Sequence, residues 1–160
     1  MSFKKKLTKK KRALLSGITS EDELILLSQD RSKKKIEWAR KNLWLLERKY
    51  KGVPLLEKVF SIIYVEHLSS NRDDFKLTYV TPDKLQILSR NFCPYLEACN
   101  DLNLDTRYIC KIAGEQSFRD LASEIDKDVL FYRNYENIRP YTDFCEEYLE
   151  FINPMGDLDK

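Results

Sequence analysis

The chain is poor in several residue types on which common protein classes depend. Its 160 residues include one histidine, four glycines and five prolines, and the first 92 residues contain no cysteine. So little glycine and proline excludes collagen-like and low-complexity chains, and four cysteines are too few for a disulfide scaffold. No apolar run approaches the roughly 20 residues of a membrane-spanning helix, and Met1–Lys6 has no apolar stretch like that of a secretory signal. We expect a cytoplasmic protein that has no membrane partner.

What is present is enough apolar sequence for one domain, together with a strongly asymmetric charge distribution. Residues 1–70 carry 17 Lys/Arg and 8 Asp/Glu, whereas residues 71–160 carry 11 and 18. Seven of the cations lie in Lys4–Arg12, which contains no acid, and such a block repels itself. We therefore predict a mobile basic arm over residues 1–19 and a single domain over residues 20–160. Because the arm has no aromatic residue beyond Phe3 and no nucleic-acid-binding motif, we expect no nucleic acid to bind through Lys4–Arg12.

Residues 20–70 are predicted to be helical. Ser20 and Glu23 form a capping-box pattern, which predicts a short helix through Ser28. A second helix is predicted from Ser32, because apolar residues then recur at helical spacing: Ile36, Ala39, Leu43, Leu46 and Tyr50. Gly52 and Pro54 separate it from a third helix, whose predicted buried face comprises Leu56, Val59, Phe60 and Ile63.

After Asn71 the apolar period changes from about 3.6 to 2, which is typical of strands. Alternating residues on either side of a Thr81–Lys84 turn predict a hairpin, and a third strand is predicted over Val129–Tyr135. A short helix beginning at Pro94 and a longer one from Asp105 or Thr106 to Leu121 are predicted between them. Asp143–Ile152 fits either a helix or a strand, and its Tyr, Phe and Ile content favours a strand. The predicted fold class is α+β, with N-terminal helices packed on a small antiparallel sheet of about four strands and a crossover helix.

The four cysteines are the main candidates for chemistry, and all of them lie in the second half of the chain. They are Cys93, Cys99, Cys110 and Cys145. In a reducing compartment such thiols are either small buried hydrophobic residues or ligands. Their spacing lacks the paired C-x2-C of most structural zinc sites and matches no common ferredoxin spacing. We interpret them as ligands of a metal ion (Zn or Fe) or of an iron–sulfur cluster, while burial in the core stays open as the alternative.

Cys93 is the strongest single candidate because Pro94 follows it. If Pro94 is the first helical residue, Cys93 takes the N-cap position, where free N–H groups favour a thiolate that could serve as ligand or nucleophile. The only histidine, His67, is predicted to be a surface or helix-terminal residue, so a base would come from a carboxylate such as Asp143 or from a tyrosine, or a metal ion would supply hydroxide. Glu146 and Glu147 are interpreted as a solvated acidic rim. Arg133 and Arg139 are candidates to hold the carboxylate of a small-molecule substrate.

About half of the chain, from Phe75 to Ile152, resembles the L-2-amino-thiazoline-4-carboxylic acid hydrolase family. The resemblance rests on a hairpin followed by four short motifs: Cys93-Pro94-Tyr95, a helical Cys110, Leu130-Phe131-Tyr132-Arg133 and Asp143-Phe144-Cys145-Glu146. It implies a compact α+β fold and ring-opening hydrolysis of a small cyclic amidine-like carboxylic acid. It also implies that Cys93, Cys110, Asp143 and Cys145 line the site.

Three functional hypotheses follow from these patterns. The first is a metal-binding or iron–sulfur module that uses all four cysteines. The second is a hydrolase that opens a cyclic carbon–nitrogen bond, with Cys93 and Asp143 as catalytic residues and Arg133 and Arg139 as substrate-binding residues. The third is a non-catalytic interaction domain in which the basic arm engages a protein partner.

Overall fold

The computed structural model describes residues 2–153 of the chain. Its helices are α1 (Phe3–Ser16), α2 (Glu21–Lys49), α3 (Leu55–Phe60), α4 (Pro94–Leu102), α5 (Thr106–Ala113) and α6 (Glu115–Ile125). Its strands are β1 (Phe75–Thr81), β2 (Lys84–Ser89), β3 (Val129–Asn134) and β4 (Cys145–Phe151). The strand order across the sheet is β1-β2-β4-β3, and all neighbouring pairs are antiparallel. The predicted fold class is confirmed, with helices packed on a small four-stranded antiparallel sheet.

The basic N-terminal segment forms helix α1. Ser2 caps the helix by accepting a hydrogen bond from the Lys5 backbone N–H, at 3.2 Å. The helix packs on α4 and buries one residue, Leu15. The segment is therefore attached to the domain through one face of a helix, and the mobility predicted for residues 1–19 stays a prediction.

Helix α2 is continuous over 29 residues, so the predicted division between Ser28 and Ser32 is wrong. No glycine or proline lies between those two serines, and both belong to one buried stripe on α2: Leu24, Ser28, Ser32, Lys35, Ala39 and Leu46. The predicted capping is confirmed, since the Ser20 hydroxyl accepts from the Glu23 backbone N–H at 3.3 Å. The Glu23 carboxylate reaches back one residue further, to the Thr19 backbone N–H at 3.1 Å.

The main core lies between the inner face of the sheet and helices α2, α3 and α6. Successive side chains of a strand point to opposite faces of the sheet. Leu85 and Ile87 of β2 and Leu149 of β4 lie on the inner face, where all three are fully buried. The predicted third helix is confirmed by the burial of Val59 and Phe60, and its chain continues as a π-helical segment, Ser61–His67. The strand assignment favoured for the last segment is confirmed by β4.

The connection between β2 and β3 contains three helices where two were predicted. The longer predicted helix is interrupted at Gly114, which ends α5 and precedes α6. This break brings the last carbonyls of α5 and the start of α6 next to α2 and β3, where the site described below is built. Across residues 2–153, no helix has the length and apolarity needed to cross a membrane.

Candidate functional site

The metal or iron–sulfur interpretation of the cysteines is wrong. Within residues 2–153, no group of three or more His, Cys, Asp or Glu side chains could hold a metal ion. The four sulfur atoms belong to separate places in the fold: Cys93 before α4, Cys99 within α4, Cys110 within α5 and Cys145 at the start of β4. All four are free thiols. A shared ligand set does not form because the elements that carry them do not converge on one point.

Burial also opposes the ionisation that a cysteine ligand needs. It raises the pKa of Cys99 to about 11 and that of Cys110 to about 12, from an ordinary value of 9.0. Both side chains therefore stay protonated at neutral pH. Cys99 packs in a small second core with Tyr95 and Ala98. The alternative left open from the sequence, in which the thiols serve as small apolar residues, is favoured for these two positions.

The two predicted catalytic residues lie on different elements and make no contact that would couple them. Cys93 takes the predicted N-cap position of α4 with Pro94 in the first turn, but its side chain makes no capping hydrogen bond. Asp143 is exposed in the turn that precedes β4. Their assignment as catalytic residues stays a prediction.

Arg139 is engaged with neighbouring protein groups. Its guanidinium donates to the backbone carbonyl of Asn91 at 2.7 Å and to the sulfur of Cys145 at 3.3 Å. The Arg139 backbone N–H also donates to that sulfur, at 3.4 Å. These contacts tie the loop before β4 to the segment between β2 and α4, and the assignment of Arg139 as a substrate-binding residue stays a prediction.

His67 is at the end of its helical segment, as predicted, and it is partly buried. Its ring meets Trp38 edge to face with 4.6 Å between ring centroids, and its Nδ1 atom is buried without a hydrogen-bond partner. Burial, with a smaller contribution from Lys35, lowers its pKa to about 4, so the ring is neutral at neutral pH.

A buried ion pair joins facing positions of β3 and β4. Arg133 lies opposite Glu147 in the strand register, and the Arg133 Nε atom is 3.5 Å from the Glu147 carboxylate. That carboxylate also accepts hydrogen bonds from the hydroxyls of Tyr64 and Ser89. Glu147 is 4% exposed, so its interpretation as part of a solvated rim is wrong. Burial, reinforced by the Glu147 charge, raises the pKa of Tyr64 well above 10.0 and keeps this phenol as a donor.

A second arginine approaches Arg133 at the Gly114 break. The Nη1 atoms of Arg31 and Arg133 each lie 3.3 Å from the position that a Cβ atom on Gly114 would occupy. The two nitrogens are therefore no further apart than twice that distance. Arg31 donates to the Ala113 carbonyl at 2.8 Å, and its guanidinium lies 4.2 Å from the centroid of the Tyr95 ring. Two guanidinium groups from α2 and β3 thus meet at the junction of α5 and α6.

Lys35 adds a third positive charge to this region. The residue is only 8% exposed, and its Nζ atom lies 4.8 Å from the centroid of the Phe118 ring. Over the part of the chain that the structure describes, Lys35 makes no ion pair and its ammonium donates no hydrogen bond. Burial, with smaller contributions from the charges of Arg31, Lys11 and Arg133, lowers its pKa from 10.5 to about 7. We call Arg31, Lys35 and Arg133 the cationic centre.

The cationic centre has one carboxylate for its three cations. Glu147 pairs with Arg133, and neither Arg31 nor Lys35 has a carboxylate partner within residues 2–153. Aromatic rings cover the cations instead: Tyr95 faces Arg31, and Phe118 faces both Lys35 and Arg133. Aromatic faces attract cations but do not neutralise them. The centre therefore has an excess of positive charge.

The close approach at Gly114 gives a direct test of this geometry. A Cβ atom there would lie 2.8 Å from the Cys110 carbonyl oxygen and 3.3 Å from the nearest guanidinium nitrogens of Arg31 and Arg133. We expect Gly114→Ala to lower the free energy of unfolding by at least about 1 kcal/mol, as overpacking does, when measured by urea denaturation. Gly17→Ala is the matched control, because its Cβ would meet nothing closer than 3.6 Å. Equal stability of the two variants would contradict the close packing.

A groove of about 490 Å³ runs between α2 and α6, and its wall includes Ser28 and Ser32 of the buried stripe of α2. Side chains of both charges line it, including Lys33, Glu37 and Asp120. None of the residues predicted to form a site lies in its wall. Because its charges alternate along ordinary helix faces, the groove indicates no particular ligand.

A scan of the chain against protein-family models, a search of curated proteins and a search of solved structures each found no match. The resemblance to the thiazoline carboxylate hydrolases therefore stays a prediction. Function has to be inferred from the chemistry of the chain's own residues.

Sequence reasoning identified Arg133 and missed the other members of the cationic centre. Lys35 belongs to the run Lys33-Lys34-Lys35, which looks like a solvated stretch of helix. The sequence does contain one indication that Lys35 is buried, which is its position along the helix. It lies four residues before Ala39 and seven after Ser28, on the same buried face of α2. Arg31 carries no such signal, since only the break at Gly114 determines what it contacts.

Proposed function

We propose that the protein is a ligand-binding module for a small oxyanion, a carboxylate or a phosphate, held at the cationic centre. The observation that carries this proposal is Lys35, a residue only 8% exposed whose ammonium has neither an ion pair nor a hydrogen bond within residues 2–153 and lies among other cations. An isolated charge in a protein interior costs several kcal/mol unless it is paired. An oxyanion would supply the missing partner.

The chemistry of the three cations suits an oxyanion. Arg31 and Arg133 offer planar guanidinium groups, which match the geometry of carboxylate and phosphate oxygens, and Lys35 offers a compact point charge. The Ala113 carbonyl fixes Arg31, and Glu147 fixes Arg133. Two of the three groups are thus held in place before the ligand arrives, which lowers the entropy cost of binding. The neighbouring Tyr95 and Phe118 rings favour a ligand with a small flat or apolar body.

Calorimetric titration and thermal denaturation with inorganic phosphate and with citrate test this proposal, using chloride at equal ionic strength as the reference. We expect saturable binding of at least one of the two anions and a melting temperature that rises with its concentration, since a ligand that binds only the folded state stabilises it. Lys35→Met should abolish both effects.

Lys34→Met is the matched control. Lys34 is the residue directly before Lys35 on the same helix, but it is exposed and pairs with Asp30 at 2.8 Å. This variant should bind as the unmodified protein does, which separates a specific site from the general attraction of a basic surface. Equal responses of the two variants, or no saturable difference from chloride for either anion, would refute the proposal.

A further inference from the structure

We propose that helix α1 forms part of the anion site and that Lys11 is a fourth ligand-binding residue. In this arrangement, ligand binding and the docking of α1 on α4 strengthen each other. The inference rests on the function proposed above and names the element that would close the site.

The first observation is the place of Lys11. Its Nζ atom lies 5.0 Å from the centroid of the Tyr95 ring, the same ring that Arg31 faces at 4.2 Å. Tyr95 is therefore shared by a cation from α1 and a cation from the cationic centre. Lys11 is half-buried, and within residues 2–153 it has no carboxylate partner. The charged groups around it are Arg31, Lys10 and Lys34, with Asp30 as the acid.

The second observation is that α1 is attached to the rest of the domain by few buried contacts. The helix buries a single residue, Leu15, and its ion pair, Arg12 with Asp101 at 3.5 Å, has both partners about half exposed. Exposed ion pairs contribute little to stability. Residues of α1, Phe92 and α4 line a groove of about 380 Å³, across which the Lys4 Nζ atom lies 5.4 Å from the centroid of the Phe92 ring. Docking of α1 is therefore sensitive to any force that acts on Lys11.

These two observations give the direction of the coupling. Without an anion, Lys11 brings a further positive charge toward Arg31 and Lys35, and the repulsion favours release of α1. With an oxyanion at the cationic centre, the same charge is attracted. Because linkage between two equilibria is reciprocal, a ligand that holds α1 must also bind more tightly when α1 is docked.

Hydrogen exchange of the full chain, followed by mass spectrometry with and without inorganic phosphate at matched ionic strength, tests the coupling. We expect phosphate to slow the exchange of peptides from α1 by roughly fivefold or more. Lys11→Met should weaken phosphate binding by a similar factor and abolish the slowing. Lys6→Met is the matched control, because Lys6 is exposed on the same helix and should leave both effects intact.

The outcomes separate this inference from the proposed function. Phosphate binding that depends on Lys35 but leaves the exchange of α1 unchanged would overturn the role of α1 while the anion site stands. Equal phosphate affinity of the Lys11→Met and Lys6→Met variants would overturn it as well. Absence of saturable phosphate and citrate binding to the unmodified protein would overturn the proposed function, and this inference with it. Circular dichroism of each variant establishes that its helices are retained.

Discussion

Replacing Glu147 with alanine is expected to lower the free energy of unfolding by about 3–5 kcal/mol, the usual effect of removing one partner of a buried ion pair. Its carboxylate pairs with Arg133 and accepts from the hydroxyls of Tyr64 and Ser89. Without it, Arg133 keeps its charge in a place that is 12% exposed, beside the other cations of the centre. Urea denaturation at neutral pH in chloride buffer measures this loss.

Two further variants show whether the loss arises from the unpaired charge. Glu150→Ala is the matched control, because Glu150 lies on the outer face of the same strand and accepts from the Tyr132 hydroxyl at 2.7 Å. It should cost no more than about 1.5 kcal/mol, the ordinary contribution of a hydrogen bond. The double variant Glu147→Leu with Arg133→Met removes both charges and should regain most of the lost stability. A cost below about 1 kcal/mol for Glu147→Ala would contradict the burial of the pair.

The fold was predictable from the sequence wherever a local pattern determines structure. The hairpin followed from alternation on either side of the Thr81–Lys84 turn, and α4 followed from Pro94 after Cys93. The errors concern continuity between elements. The predicted division of α2 had no breaker to support it, and the longer helix was predicted to run through Gly114, although a glycine is a common signal for the end of a helix.

The candidate site was less predictable because it depends on which strands become neighbours. Alternation alone places Arg133 on the face of Val129 and Phe131, and Glu147 on the face of Leu149, so each charge falls on an inward position. Their pairing follows only from the antiparallel register of β3 and β4, in which Arg133 lies opposite Glu147. The prediction for the cysteines was wrong for a different reason. Residues of one type that lie in the same half of a chain need not lie close together in the fold.

The stability of the ligand-free protein is expected to rise with pH because of Lys35. Its pKa is about 7 in the folded protein and 10.5 in an exposed lysine, so the unfolded chain binds this proton more tightly. Below pH 7 Lys35 is charged in both states, and its burial lowers the free energy of unfolding by the full amount. This loss disappears as the pH approaches 10.5. At 1.36 kcal/mol per pKa unit, the full penalty is roughly 5 kcal/mol, of which about 2–3 kcal/mol should disappear between pH 6 and pH 9.

Comparison of the unmodified protein with Lys35→Met removes the contributions of titrating groups far from Lys35, which are common to both chains, and leaves only the change at Lys35 and its effect on neighbours such as His67. Urea denaturation in Bis-Tris and Tris chloride buffers should show a stability difference in favour of Lys35→Met at pH 6 that shrinks by about 2–3 kcal/mol at pH 9. Lys34→Met should follow the curve of the unmodified protein. Parallel pH curves for the unmodified protein and Lys35→Met would mean that Lys35 is solvated or already paired. An oxyanion bound at the cationic centre favours the charged form of Lys35. A bound oxyanion whose own charge is the same at pH 6 and pH 9 should therefore stabilise the unmodified protein more at pH 6, and it should reduce the stability difference between that protein and Lys35→Met.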